Sequence, residues 1–161
     1  MLKESLVELF IKDLNILVAE MNLYKDEKDL WIVEKGISNS GGNLCLHLLG
    51  NLNYFIGALL GNTGYTRHRE DEFTLKNIPR TQLISSIDET IIVVKNTLTD
   101  MPSEDMDKDY PLEKQGKIIR TGGMLLHLLL HFNYHLGQIN YHRRLIEKGT
   151  IPIPEKLERS Y

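Results

Sequence analysis

The sequence is short of the features that mark several common protein classes. Its 161 residues include one cysteine, Cys45, so no internal disulfide can form. That lone residue reads as a small buried apolar side chain rather than a catalytic thiolate. No charge of one sign dominates: 19 basic against 22 acidic residues give a net charge of −3, without the basic footprint that draws a protein onto phosphate backbones. Nucleic acid is therefore not an expected partner. Long hydrophobic runs are missing too. The most apolar stretch, Met124 to Leu136, is too short for a bilayer and is interrupted by His127, His131, Asn133 and His135, so no membrane partner is expected. No Gly-x-Ser-x-Gly elbow, phosphate-cradling glycine loop, alternating strand pattern or internal repeat occurs. With no charged segment leading into an apolar export core near Met1, the cytoplasm is the expected compartment.

What is present is helical periodicity. Leu2, Leu6, Leu9, Phe10, Leu14 and Leu17 recur at three- and four-residue steps, predicting an amphipathic helix from Leu2 to about Asn22. Tyr24 to Gly42 reads as a connection anchored by Trp31. Asn43 to Leu60 carries no charge and predicts a largely buried helix that Ser40 or Asn43 could cap. Gly61, Asn62 and Gly64 stop it, and a polar segment through Arg67, His68, Arg69 and Glu72 leads to Pro79 as the rim of a site. Leu83, Ile84, Ile87, Ile91, Val94 and Leu98 predict a third helix, closed by Pro102. Asp105, Asp107 and Asp109 imitate the start of a calcium loop, but Tyr110 stands where glycine is needed and Gly116 where a bidentate glutamate is needed. A fourth helix runs from Thr121 to about Lys148, ending at Gly149 before Pro152 and Pro154. The expectation is an all-α fold: one domain spanning residues 1–161, a four-helix bundle with long connections.

At about 100° per residue, His127, His131, His135, Gln138 and His142 fall within an arc of roughly 80° on the fourth helix. Histidines four apart stack on one face, so His131 and His135 can both reach one ion. The third ligand has to come from another helix. His47 is the only other histidine within an apolar helical stretch, since His68 falls in a polar loop. Three neutral imidazoles leave a divalent transition metal (zinc, nickel, iron or copper) with its full charge and an open position. Asn51 and Tyr54 are expected on the His47 face as groups that orient its ring or a bound water. His127 is expected beside the ligands rather than among them, although a His127 and His131 pair is open to the same spacing argument. His142, Arg143 and Arg144 are expected to stabilise the helix C-terminus.

The stretch His131-Phe-Asn-Tyr-His135-Leu-Gly137-Gln138-Ile139 resembles the His-x3-His-x-Gly-Gln stretch of the DinB/YfiT-like superfamily, and the resemblance extends over essentially the whole chain. It implies a metal held by the two histidines of the last helix and one on the second helix, the place His47 occupies. Asn43 to Phe73, with Gly-Asn-Thr-Gly-Tyr and Arg67-x-Arg69-x3-Phe73, is similar to a DinB-like subfamily of unknown function. Members of the superfamily often carry arginine where Leu136 stands here, so a charge near the site is missing. The resemblance implies a metal-dependent transferase joining a low-molecular-weight thiol to an electrophile. Arg67 and Arg69, on the loop after the second helix, are expected to recognise substrate carboxylates where that loop folds over the bundle mouth. Two alternatives stand beside it: metal-assisted hydrolysis or isomerisation at the same site, and a non-catalytic, stress-associated metal-binding module. A homodimer is the expected assembly.

Overall fold

The apolar stripes read from the sequence become four long helices in a computed structural model that describes residues 2–112 and 116–147. These are α1 (Leu2–Leu23), α2 (Gly41–Leu52), α4 (Arg80–Asp100) and α5 (Thr121–Ile146); α3 (Asp71–Thr74) is a single turn. The chain is mostly helical, with no strand among the described residues; an isolated bridge pairs Asp109 with Arg120. The expected stop at Gly149, Pro152 and Pro154 lies outside the described residues, as do the ends of the 1–161 domain.

Local chemistry explains the boundaries. Ser40 caps α2 by accepting from the Asn43 amide at 3.2 Å. Pro79 sits immediately before α4, and Met101 leaves helical conformation ahead of Pro102. Asn62 and Gly64 take positive φ values of 49° and 74° in the turn after α2, where a left-handed backbone is needed to end it.

Contacts between the helices fix their directions. Asp13 and Glu20 of α1 meet Asn133 and Asn140 of α5, so these two run parallel. Lys3 bonds the carbonyl of Thr99 while Arg80 bonds that of Tyr24, so α1 and α4 are antiparallel. Asn53 bonds Thr90, and Gly61 lies against Thr97, so α2 and α4 run the same way. Both α1 and α2 pack against α4 and α5, which makes an up-down-down-up bundle with α1 opposite α2 and α4 opposite α5 across the diagonals. Parallel α2 and α4 require a crossover that travels back along the bundle. That crossover, residues 59–79, carries Arg67, Arg69, Glu72 and Phe73 past the middle of α2.

The core is one cluster in which Phe10, Leu14, Leu17, Leu48, Ile56, Ile87, Val94, Phe132 and Ile139 are all buried. Each such side chain contributes roughly 1.5–3 kcal/mol by leaving water. Leu2 and Leu9, included in the α1 stripe by periodicity, lie on its exposed flank. Trp31 is buried as expected and its ring rests on Gly42, where a Cβ would stand 2.8 Å from ring carbons. Cys45 is fully buried, and burial pushes its thiol up to about 12, so it is no thiolate at neutral pH. Asp105 and Asp109 pair with Lys108 and Arg120 rather than facing a common centre.

A second polar layer ties α1 to α5. Glu20, nearly fully buried, accepts from Arg143 Nε at 2.8 Å and Asn140 Nδ2 at 2.7 Å. His142 is buried as well: its Nε2 lies 2.9 Å from the Ile32 carbonyl, so Nε2–H donates there and Nδ1 accepts from the Tyr24 hydroxyl at 2.7 Å. His142 and Arg143, expected to stabilise the helix C-terminus, are buried there with specific partners. Both are internal fasteners, of α5 to α1 and to the Trp31 connection, because the α5 C-terminus is covered by those segments.

Candidate metal centre

His47 on α2 and His131 and His135 on α5 are brought together as the antiparallel packing of the two helices requires. His131 Nε2 stands 3.3 Å from His47 Nε2 and 3.1 Å from His135 Nε2. Nitrogens about 2.0–2.1 Å from a tetrahedral zinc ion are separated by ~3.3 Å, so this spacing fits one ion. Among the described residues, this is the group of His, Cys, Asp or Glu side chains with ligand atoms so gathered.

Each flanking ring is set by a partner at Nδ1. Glu72 Oε2 lies 2.8 Å from His47 Nδ1, and Gln138 Oε1 lies 2.7 Å from His135 Nδ1. Both oxygens are acceptors, so both Nδ1 atoms carry the proton and both Nε2 lone pairs point at His131. His131 Nε2 can donate to only one of them. At most one of the two lone pairs is therefore met by the His131 proton, and the other is open to a cation. Burial, together with His135, His47, His127 and Arg67 nearby, pulls His131 down to about 4, and burial also lowers His135. These two rings are therefore neutral at pH 7, as ligands have to be.

Glu72 is the residue sequence reasoning missed. It is buried, and burial alone would raise its pKa, but hydrogen bonds from Arg67 and His47 outweigh that and hold the carboxyl below its ordinary value. Arg67 grips it with Nε at 2.6 Å from Oε1 and Nη2 at 2.8 Å from Oε2. Gly50 makes room: a Cβ there would collide with the Glu72 carboxylate. A run of charged residues between Arg67 and Glu72 gives no one-dimensional reason to single out one of them; the only local hint is the short α3 turn, which turns Glu72 inward and lays Phe73 on His47 with ring centroids 5.0 Å apart.

A cavity of about 480 Å³ opens over the triad, lined by His47, Asn51, Phe55, Arg69, Phe73 and Met124 among others. Asn51 sits on the His47 face as expected, its Nδ2 3.2 Å from both the His47 carbonyl and Nε2. Tyr54 is placed elsewhere. After Leu52, α2 widens into a π-helical turn, Asn53–Ala58, in which each residue advances less around the axis. Phe55, not Tyr54, then faces the cavity, and Tyr54 packs edge-on against Phe55 with centroids 5.0 Å apart. His127 lines the cavity one turn before His131, its ring centroid 6.4 Å away, outside the convergent group. Arg67 and Arg69 both line the cavity.

Bundle topology and site together define the class: a four-helix bundle gathering three histidines from two neighbouring helices beneath a cationic, aromatic cavity. The chain belongs to the family described as protein of unknown function (DUF1572), which matches residues 6–154. That family lies within the DinB/YfiT-like superfamily, and its description names no activity. No curated relative matches the chain.

Proposed function

We propose that His47, His131 and His135 hold one divalent transition metal, zinc, nickel or iron, in a metal-dependent enzyme whose nucleophile is a low-molecular-weight thiol. The observation that carries this reading is the pinning of His47 and His135 by Glu72 and Gln138, which aims unprotonated Nε2 atoms at a common point. Bound there, a divalent ion supplies Lewis acidity and holds a thiol or water at its open position in deprotonated form. The chain's own groups do the rest. Glu72 and Gln138 orient the ligands, Arg67 fixes Glu72, and Phe55, Phe73 and Met124 narrow the cavity around a small molecule. The thiol comes from the superfamily resemblance; hydrolysis or isomerisation with water or a carbonyl in the same position is the alternative, separated by whether turnover depends on added thiol.

The test is elemental mass spectrometry of untagged protein. One transition-metal ion per chain is expected in wild type, none in a His47→Ala, His131→Ala, His135→Ala triple variant, and an undiminished load in His127→Ala. A wild type that stays metal-free after reconstitution removes the enzyme reading.

A non-catalytic, dimeric reading is favoured by a separate observation. On the outer face of α5, Leu130, Tyr134 and Tyr141 are 69%, 65% and 73% exposed, and Leu126 and Leu145 continue the stripe. No formally charged residue occurs from Thr121 to His142, so α5 itself brings no charge repulsion to a second copy meeting the face from Leu126 to Tyr141. Light scattering should give a dimer in wild type and a monomer in Leu130→Asp. A wild-type monomer at tens of micromolar removes this reading.

A further inference from the structure

Arg67 and Arg69 sit two residues apart on the crossover and both line the cavity, yet they are in different states. Arg67 is committed: two of its nitrogens grip Glu72 and its guanidinium lies 5.6 Å over the Phe55 ring. Diverting it to a substrate would unfasten the carboxylate that sets His47, so Arg67 is a positioning residue. Arg69 is uncommitted. Its guanidinium stacks 5.5 Å over Phe73, is exposed, and makes no hydrogen bond or ion pair among the described residues. Phe73 in turn touches the His47 ring at 5.0 Å, so one aromatic side chain joins the free cation to the triad. Among the described residues, no aspartate or glutamate lines the cavity beside Arg69.

We propose that the substrate of this site carries a carboxylate bound by Arg69, a few carbon atoms from the end that meets the histidine triad; this rests on the metal-dependent thiol reading above. Stacking on Phe73 holds the planar guanidinium in one orientation, which suits a bidentate fork to a planar carboxylate. A dianionic phosphate ordinarily gathers donors from several groups, whereas among the described lining residues Arg69 is the one arginine not already paired with a carboxylate. The substrate class is a small mercapto-carboxylic acid, with sulfur at the triad end and carboxylate at the Arg69 end.

The test uses cobalt(II)-loaded protein and two probes differing in one charge, 3-mercaptopropionate and 3-mercaptopropionamide, titrated by the sulfur-to-cobalt charge-transfer band. Wild type is expected to bind the acid about tenfold or more tightly than the amide, the worth of one charge-assisted fork. Arg69→Gln should bring that ratio to about one and leave the amide unchanged. Equal binding of the two by wild type, or a preference that survives in Arg69→Gln, overturns the carboxylate inference and leaves the metal reading intact. Failure to load cobalt, or loading with no band from either thiol, overturns the metal-thiol reading instead. In that event calorimetry of succinate and inorganic phosphate on metal-free protein decides the inference. Succinate binding lost in Arg69→Gln upholds it; no succinate binding, or tighter phosphate binding, overturns it.

Discussion

Glu72 Oε2 and His47 Nδ1 stand 2.8 Å apart, joining the crossover to α2 at the one histidine of the triad that α5 does not supply. The contact fixes the His47 tautomer and ties the site to the topology. Because α2 and α4 are parallel, the chain between them has to pass this point, and the carboxylate arrives on that passage.

Replacing Glu72 by Gln tests the contact. The amide keeps an acceptor for Nδ1–H but loses the negative charge beside the His47 ring and half of the fork to Arg67. Metal affinity, measured by competition with a chromogenic chelator, should fall about 10- to 100-fold. An unchanged affinity would make Glu72 a structural anchor of the crossover only.

Gly50→Ala probes the same relationship from the other helix. The added Cβ collides with the Glu72 carboxylate, which has to move away from His47. Alanine ordinarily favours a helix over glycine by about 1 kcal/mol. Helix propensity alone therefore predicts a more stable protein, whereas the collision predicts weaker metal binding together with a lower urea midpoint. A stabilised variant with full affinity would refute the close-approach account.

Much of this was legible in the sequence. The three- and four-residue spacing of Leu6, Phe10, Leu14 and Leu17 identified the buried face of α1, and His131-x3-His135 with His47 identified the convergent group. These succeed because helix geometry is local: spacing along the chain becomes direction in space. Tyr54 was misplaced for the same reason, since the extrapolation assumed α-helical advance through a π-helical turn. Glu72, Glu20 and Arg143 were not legible. Charged residues are usually solvated, and only partners distant in sequence, such as Glu20 and Arg143, make their burial tolerable. Periodicity carries no information about such pairs.

The Glu20–Arg143 pair should therefore be costly to halve. Glu20→Ala leaves a guanidinium that is 2% exposed and for which, among the described residues, Glu147, 3.7 Å from Nη1, is a partial substitute. Removing one partner of a buried pair typically costs 3–5 kcal/mol. Urea unfolding should register a loss of about that size in Glu20→Ala and a smaller one in Glu20→Gln, which retains an acceptor for Asn140 Nδ2. A loss under about 1 kcal/mol would show that water replaces the carboxylate readily.

His142 gives a pH dependence with a definite sign. Burial holds it below its ordinary value of 6.5; the bond to the Ile32 carbonyl and the charges of Asp29 and Glu34 offset this only in part. Below pH 6.5 the unfolded chain therefore takes up a proton at this site more readily than the folded protein. Stability linked to His142 is fully present above that pH and is lost as pH falls through it. Protonation would also turn Nδ1 into a second donor facing the Tyr24 hydroxyl, which now donates to it at 2.7 Å. The urea midpoint of metal-free protein should drop between pH 7 and pH 5, and His142→Asn should show a shallower drop from a lower starting point. His131 and His135 titrate in the same sense in both proteins, so the difference between the two slopes isolates His142. Identical slopes would mean that the Tyr24 and Ile32 contacts adjust to the imidazolium, and that this end of the bundle is looser than its burial indicates.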